Sequence, residues 1–151
     1  MTWLEYLSTK RDMLENVMNV PVITINAIDT LRVAAECMVK NNIGAIVVVE
    51  DNKPVGIVTE RDVTKQVITG DDALVNPVSQ VMSHPLRVST KETTIQDVFE
   101  IMLEHRIRRL PIVENNELVG IVTEKDLMAW VLRVSYEPNI PKHIKAVLDS
   151  H

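Results

Sequence analysis

The segment Val55-Gly56-Ile57-Val58-Thr59-Glu60-Arg61-Asp62 returns 64 residues later as Val119-Gly120-Ile121-Val122-Thr123-Glu124-Lys125-Asp126, with one conservative change in eight positions. A match of this length marks a tandem duplication, and it decides the fold because both copies must share one architecture. Working outward at the same offset, Val17-Met18 and Pro21 return as Val81-Met82 and Pro85. Glu36 and Met38 return as Glu100 and Met102, and Ile43 as Ile107, with no gap between these points.

Apolar periodicity and turn chemistry give each copy the same order of elements. In the first, Val22 to Ile25 reads as a short strand after Pro21. Thr30 to Asn41 carries Leu31, Ala34, Ala35 and Met38 at helical spacing, which predicts an amphipathic helix. Ala45 to Val49 and Pro54 to Val58 are β-branched runs joined by Glu50-Asp51-Asn52-Lys53, a connection of hairpin length, so they are expected to pair antiparallel. Thr59 to Ile68 then closes a βαββα unit. In the second copy Thr93 and Gln96 form the expected capping box of the first helix. Glu114-Asn115-Asn116-Glu117 is the expected hairpin turn and Glu124 to Arg133 the last helix.

The fold class expected is α+β, two tandem βαββα repeats packed about a pseudo-twofold axis. A unit of about 60 residues buries too little apolar surface to be secure alone, so the copies should pack together and leave paired clefts. The expected partition is an N-terminal helix over 1–13, a first repeat over 14–70, a linker over 71–79, a second repeat over 80–135 and a C-terminal extension over 136–151. The linker reads as polar and broken by Gly70 and Pro77. Trp3 to Met13 looks helical, and Pro138 to Leu148 holds a helical turn or two; both are candidate dimer or cap elements.

Composition excludes several classes. Of the 151 residues 46% are hydrophobic and 25% charged, ordinary values for a soluble globular domain. No run approaches the roughly 18 apolar residues of a spanning helix, and Met1-Thr2-Trp3-Leu4-Glu5 lacks a basic secretory start, so a cytoplasmic address and no membrane partner are expected. A net charge of -5 argues against a broad duplex-binding face, and 3% aromatics against a stacking platform for single strands. Cys37, the one cysteine, rules out an internal disulfide and reads as a buried apolar residue. His84, His105, His143 and His151 show no metal-ligand spacing, so no metal site is expected and surface positions are. No nucleophile with its base is apparent, nor a Gly-rich phosphate loop, which argues against an enzyme. Met18, Met82, Met38 and Met102 recur at repeat positions and read as core filler.

A tandem of βαββα units, each with a strand reading Gly-Ile-Val-Thr-x-x-Asp before a helix, resembles the CBS-domain family, whose paired form is the Bateman module. The likeness covers roughly residues 14 to 134. The stretch from Pro85 to Asp126, with His105-Arg106-Ile107-Arg108-Arg109-Leu110-Pro111, is similar to a repeat of the gamma subunit of AMP-activated kinase. The resemblance implies a non-catalytic sensor of AMP, ADP, ATP or S-adenosylmethionine, commonly a homodimer forming a disc of four repeats. It also implies which residues share a cleft. Thr59, Arg61 and Asp62 would join Pro85, Leu86, Arg87, Ile107, Arg108, Arg109 and Pro111 in cleft one. Thr123, Lys125 and Asp126 would join Pro21, Val22, Ile23, Ile43, Gly44 and Ala45 in cleft two.

The chemistry of those positions supports a phosphorylated ligand in cleft one. Thr59 and Asp62 stand where a strand hands over to a helix, so free backbone N–H groups favour an anion, and the Asp carboxylate can accept ribose hydroxyls. The plainer reading is a capping box, duplicated because the chain is. Arg108 and Arg109 present forked donors suited to phosphate oxygens, whereas the corresponding Gly44 and Ala45 present none, so cleft two suits a less charged adenosyl ligand or none. Arg106 and Arg108 also suit a helix C-terminus, where cations complement the dipole. Here the chain departs from the gamma-subunit pattern, with Arg108 where that family has His. A ligand-free interaction or assembly unit is the rival from another class.

Overall fold

The computed structural model describes residues 14–136. The proposed helix over 1–13 and the extension beyond 136 lie outside them. The elements run β1 (Thr24–Asn26), α1 (Leu31–Asn41), β2 (Ala45–Glu50), β3 (Lys53–Thr59) and α2 (Glu60–Thr69). Then come α3 (Ile95–His105), β4 (Arg109–Glu114), β5 (Glu117–Thr123) and α4 (Glu124–Tyr136). Short 3-10 turns cover Leu14–Asn16, Asp71–Val75 and Val78–Gln80. This is the α+β duplication read from the sequence.

Both hairpins follow from their turns. Asp51 and Asn52, and likewise Asn115 and Asn116, take positive φ between 49° and 65°, the left-handed pair that matches the twist of adjoining strands. The registers Ala45↔Thr59 and Arg109↔Thr123 lie 64 residues apart, and each ladder shifts once, at Val48/Val49 and at Ile112/Val113. These shifts leave Val55 and Val119 without a paired residue opposite, and Gly56 and Gly120 follow them directly. Helix α1 is stopped by Asn42 at φ 52°, whose N–H donates to the carbonyls of Met38 and Val39. Arg106 does the same for α3 at φ 53°.

Four expectations are corrected. The first strand begins at Thr24 rather than Val22, where it pairs parallel with β2 from Val47 onward. In the second copy this strand shrinks to a single parallel bridge, Ser89↔Ile112. Pro111 stands where the first copy has Val47, and its missing N–H removes the donor that would extend the ladder toward Arg87. The cap of α3 is Thr94, not Thr93: its hydroxyl accepts from the Asp97 N–H at 3.1 Å, while Thr93 bonds Ser89 and Gln96 donates to Glu100. Thr94 is the repeat mate of Thr30, whose hydroxyl accepts from Val33. Cys37 proves half-buried against the core, and Asn41 Nδ2 donates to its carbonyl at 2.8 Å. His84 is exposed and His105 half-buried.

Two cores form, and each is completed by the other copy's sequence. Leu31, Ala34, Met38, Ile46, Val48 and Val58 build the first core, and buried within it is Val78, which the expected partition left in the linker but which is the repeat mate of Leu14, with Val81 and Met82 alongside. Val98, Met102, Leu110, Ile112, Val122, Leu127 and Trp130 build the second, and buried within it is Leu14, with Val17 and Met18 alongside. The crossing is sealed by backbone bonds. Asn19 and Ile121 exchange a pair at 2.8 and 3.2 Å, as do Ser83 and Ile57 at 2.9 and 3.2 Å. Residues 71–79 are held down as well, since Leu31 N–H donates to Asn76 and Val78 N–H to Asp29. Strands β3 and β5 meet where the copies join.

The crossing needs two glycines. A Cβ on Gly56 would sit 2.5 Å from Met82 Sδ and 3.0 Å from the Ser83 carbonyl oxygen, and one on Gly120 would sit 2.5 Å from Met18 Sδ. Gly56→Ala is therefore expected to destabilise by about 1–3 kcal/mol through overpacking. Gly120→Ala should cost less, because the closest atoms there all belong to the flexible Met18 side chain. Urea denaturation of the two variants checks this, and equal losses would show that the Ser83 backbone plays no part.

Candidate functional site

The candidate site grows from the two junctions at which β3 passes into α2 and β5 into α4. Glu60 N–H donates to the Gly44 carbonyl at 3.1 Å and Glu124 N–H to the Arg108 carbonyl at 2.9 Å, so each helix start is pinned to the beginning of its own hairpin. Thr59 caps α2 in extended geometry. Its N–H and its hydroxyl both donate to Asp62 Oδ2, at 2.8 and 2.7 Å, while Asp62 N–H donates back to the hydroxyl at 3.3 Å. Thr123 and Asp126 repeat the arrangement within 0.1 Å. The plainer reading of the Thr-x-x-Asp pair is thus satisfied: both are capping boxes. Both bonds that each carboxylate accepts from its threonine fall on Oδ2.

The two boxes differ in one contact. Asn19 Nδ2 donates to Asp126 Oδ2 at 2.8 Å, giving that oxygen a third donor. At the other junction the repeat mate of Asn19 is Ser83. Sequence reading passed over Asn19 because it lies 107 residues from the carboxylate it reaches.

The larger difference is electrostatic. Arg109 leaves the start of β4 and reaches across to the first copy. The point a Cβ on Gly44 would occupy lies 2.9 Å from Arg109 Nη2 and 3.2 Å from Glu60 Oε2. Gly44 was expected to leave room for a ligand in cleft two; the space beside it is taken by the guanidinium and a carboxylate. One residue assigned to cleft one and one assigned to cleft two therefore touch at the same place. Arg109 is half-buried, and burial pushes its pKa down, as does the charge of Arg108, while Glu60 and Glu124 pull it up. The group stays charged. Arg108 projects into solvent and its Nε lies 3.6 Å from Glu124 Oε2. Two cations from the second copy thus face one carboxylate from each copy. Sequence reasoning missed Glu60 and Glu124, although their identical placement after each Thr was visible.

The remaining assigned residues divide by exposure. Arg61, Lys125, Pro21, Pro85 and Arg87 are exposed, while Val22, Ile23, Leu86, Ile43 and Ile107 are half-buried. Ala45 and Pro111 are buried in their strands. Elsewhere a cavity of about 300 Å³ is lined by residues 90–92 and 113–116, at the turn end of the second hairpin and away from Arg109. Lys91 there is held by Glu15 at 3.2 Å and Glu114 at 3.6 Å. Among the described residues no group of three or more His, Cys, Asp or Glu is placed to hold a metal ion, and no helix is long and apolar enough to cross a membrane.

Known proteins agree with this architecture. The sequence model of the CBS domain matches residues 14–69 and again 78–133. The CBS domain-containing protein YhcV of Bacillus subtilis (strain 168) is 38% identical over 113 residues, 75% of this chain and 81% of that protein. The crystal structure of Hypoxic Response Protein I with two coordinated zinc ions superposes with a TM-score of 0.69 at 30% identity, over 77% of this chain and 96% of the other. The CBS domain pair of protein MJ0100, crystallised with 5′-methylthioadenosine and S-adenosyl-L-methionine, shares the fold at a TM-score of 0.72 and 23% identity, over 79% and 94% of the two chains.

Thr59→Ala removes the one hydroxyl that both accepts from Asp62 N–H and donates to its carboxylate, and should lower stability by about 1 kcal/mol. Thr59→Ser should retain most of it. Thermal unfolding of both variants reads the difference, and an equal loss in the two would sink the capping account.

Proposed function

The chain belongs to the CBS-domain family, and on that premise we propose that it is a non-catalytic regulatory module binding an adenine nucleotide (AMP, ADP or ATP) between its repeats. The observation that carries this reading is the reach of Arg109 across to the start of α2. It sets a forked cation beside a helix N-terminus, the combination that grips phosphate. In the proposed cleft one, Asp62 keeps its cap through Oδ2 and offers Oδ1 to the ribose hydroxyls. Thr59 and Arg61 line the α2 side. Arg108 and Arg109 hold phosphate, Arg87 adds charge at the mouth, and Pro85, Leu86, Ile107 and Pro111 form an apolar slot for the base.

Cleft two is proposed as the weaker site. Thr123, Lys125 and Asp126 would face Pro21, Val22, Ile23, Ile43, Gly44 and Ala45, with one cation in place of four and with Asp126 already engaged by Asn19. We assign the module to the cytoplasm and to a homodimer of four repeats, with an unidentified target protein as its output. S-adenosylmethionine is the second reading. The carboxylates of Glu60 and Glu124 beside the arginines suit a sulfonium, and the fold-mate MJ0100 was crystallised with that ligand.

A thermal-shift panel of AMP, ADP, ATP, NAD and S-adenosylmethionine, with and without Mg²⁺, tests the class. A ligand at 100 times its Kd should stabilise the chain by ~2.7 kcal/mol. No shift with any of them would favour a ligand-free assembly unit. Asp62→Ala is expected to weaken the best ligand at least tenfold by calorimetry, since a buried ribose would lose a charged acceptor (about 1.5–3 kcal/mol). An unchanged affinity would overturn the ribose assignment.

A further inference from the structure

The charges at the seam between the copies nearly cancel. Arg108 and Arg109 come from one copy, yet the carboxylates facing them come from both: Glu60 Oε2 lies with Arg109 Nη2 around Gly44, and Glu124 Oε2 lies 3.6 Å from Arg108 Nε. Glu60 is exposed and sits in the first turn of α2, outside the Thr59–Asp62 capping box. A phosphate bound by Arg109 at that helix start meets this carboxylate, and the repulsion between them grows with each charge the ligand carries.

We propose that Glu60 is the specificity-determining residue of this site, a resident anion that lowers affinity for polyphosphates more than for monophosphates. The proposal rests on the phosphate-binding reading of Arg108 and Arg109 given above and names what tunes it. Glu60 compensates Arg109 while the site is free. An incoming phosphate must either share the guanidinium with the carboxylate or turn it out toward solvent. Either route disfavours a highly charged tail, so the site ranks AMP closer to ATP than two bare arginines would. The same carboxylate attracts a cationic ligand.

The test uses inorganic probes first, which need no adenosine slot. Binding of tripolyphosphate and of orthophosphate is measured by calorimetry on the whole chain and on Glu60→Gln, with Glu117→Gln, a loss of equal charge at the far hairpin turn, as control. Glu60→Gln should tighten tripolyphosphate roughly fivefold and orthophosphate by about twofold or less, the gain fading near 1 M salt where screening is short-ranged. Glu117→Gln should change neither, and Arg109→Ala should abolish the gain. AMP, ATP and S-adenosylmethionine follow on the same proteins, with the expected order of tightening ATP over AMP, and with S-adenosylmethionine weakened. If no adenosyl ligand binds while the inorganic ranking holds, the adenine reading fails and the role of Glu60 stands. If AMP and ATP bind but Glu60→Gln moves them alike, the role of Glu60 is overturned and the nucleotide reading stands. Failure of tripolyphosphate to bind either protein also overturns it.

Discussion

Each core in this chain is closed by a residue from the other copy. Leu14 is 1% exposed within the second core, and Val78 is fully buried within the first. The exchange holds because Gly120 and Gly56 let Met18 and Met82 lie against the strands, and because Asn19 and Ser83 each close a backbone pair with a strand of the opposite repeat. Separating the copies would open both cores and break four backbone bonds, so the seam is as much a part of the fold as either hairpin. The position of Arg109 beside Gly44 depends on that rigidity, since a contact made from one copy to the other is only as well defined as the packing between them.

Much of the architecture was legible because the chain states it twice. The offset of 64 residues located every hairpin and both Thr-x-x-Asp junctions, and local chemistry then gave the type of each element. The errors arose where one copy was read without the other. Thr93 looks like a cap by its spacing to Gln96, but the mate of Thr30 is Thr94, and the backbone followed the repeat. The second copy's strand is shortened at one end by Pro111 for Val47, which removes one donor from a ladder only three residues long; at the other end the bond from Ala27 N–H to Val49 has no counterpart from Lys91 to Val113.

The site was less legible for a physical reason. Caps and hairpins are local, so spacing betrays them, whereas the seam is built from residues far apart in sequence. Arg108 and Arg109 were evident as a cluster, and Glu60 and Glu124 as a repeated pair. Nothing in their spacing says that the second copy's arginines face the first copy's glutamate. The crossing of Leu14 and Val78 was hidden likewise: both are ordinary apolar residues, and both lie at the edge of the repeat to which their sequence belongs.

Gly44 and Arg109 together show what covalent linkage makes possible. At the offset of the repeat Gly44 answers to Arg108, and Ala45 to Arg109. In a pair of identical subunits this contact would be made twice, each partner's arginine reaching the other's glycine. Joining the copies in one chain frees the positions to diverge, so that Arg109 reaches Gly44 while its mate Ala45 has no charged side chain to send back. Broken symmetry of this kind lets a duplicated scaffold set a cation from one half beside a carboxylate from the other, and it divides two once-equivalent faces into unlike ones.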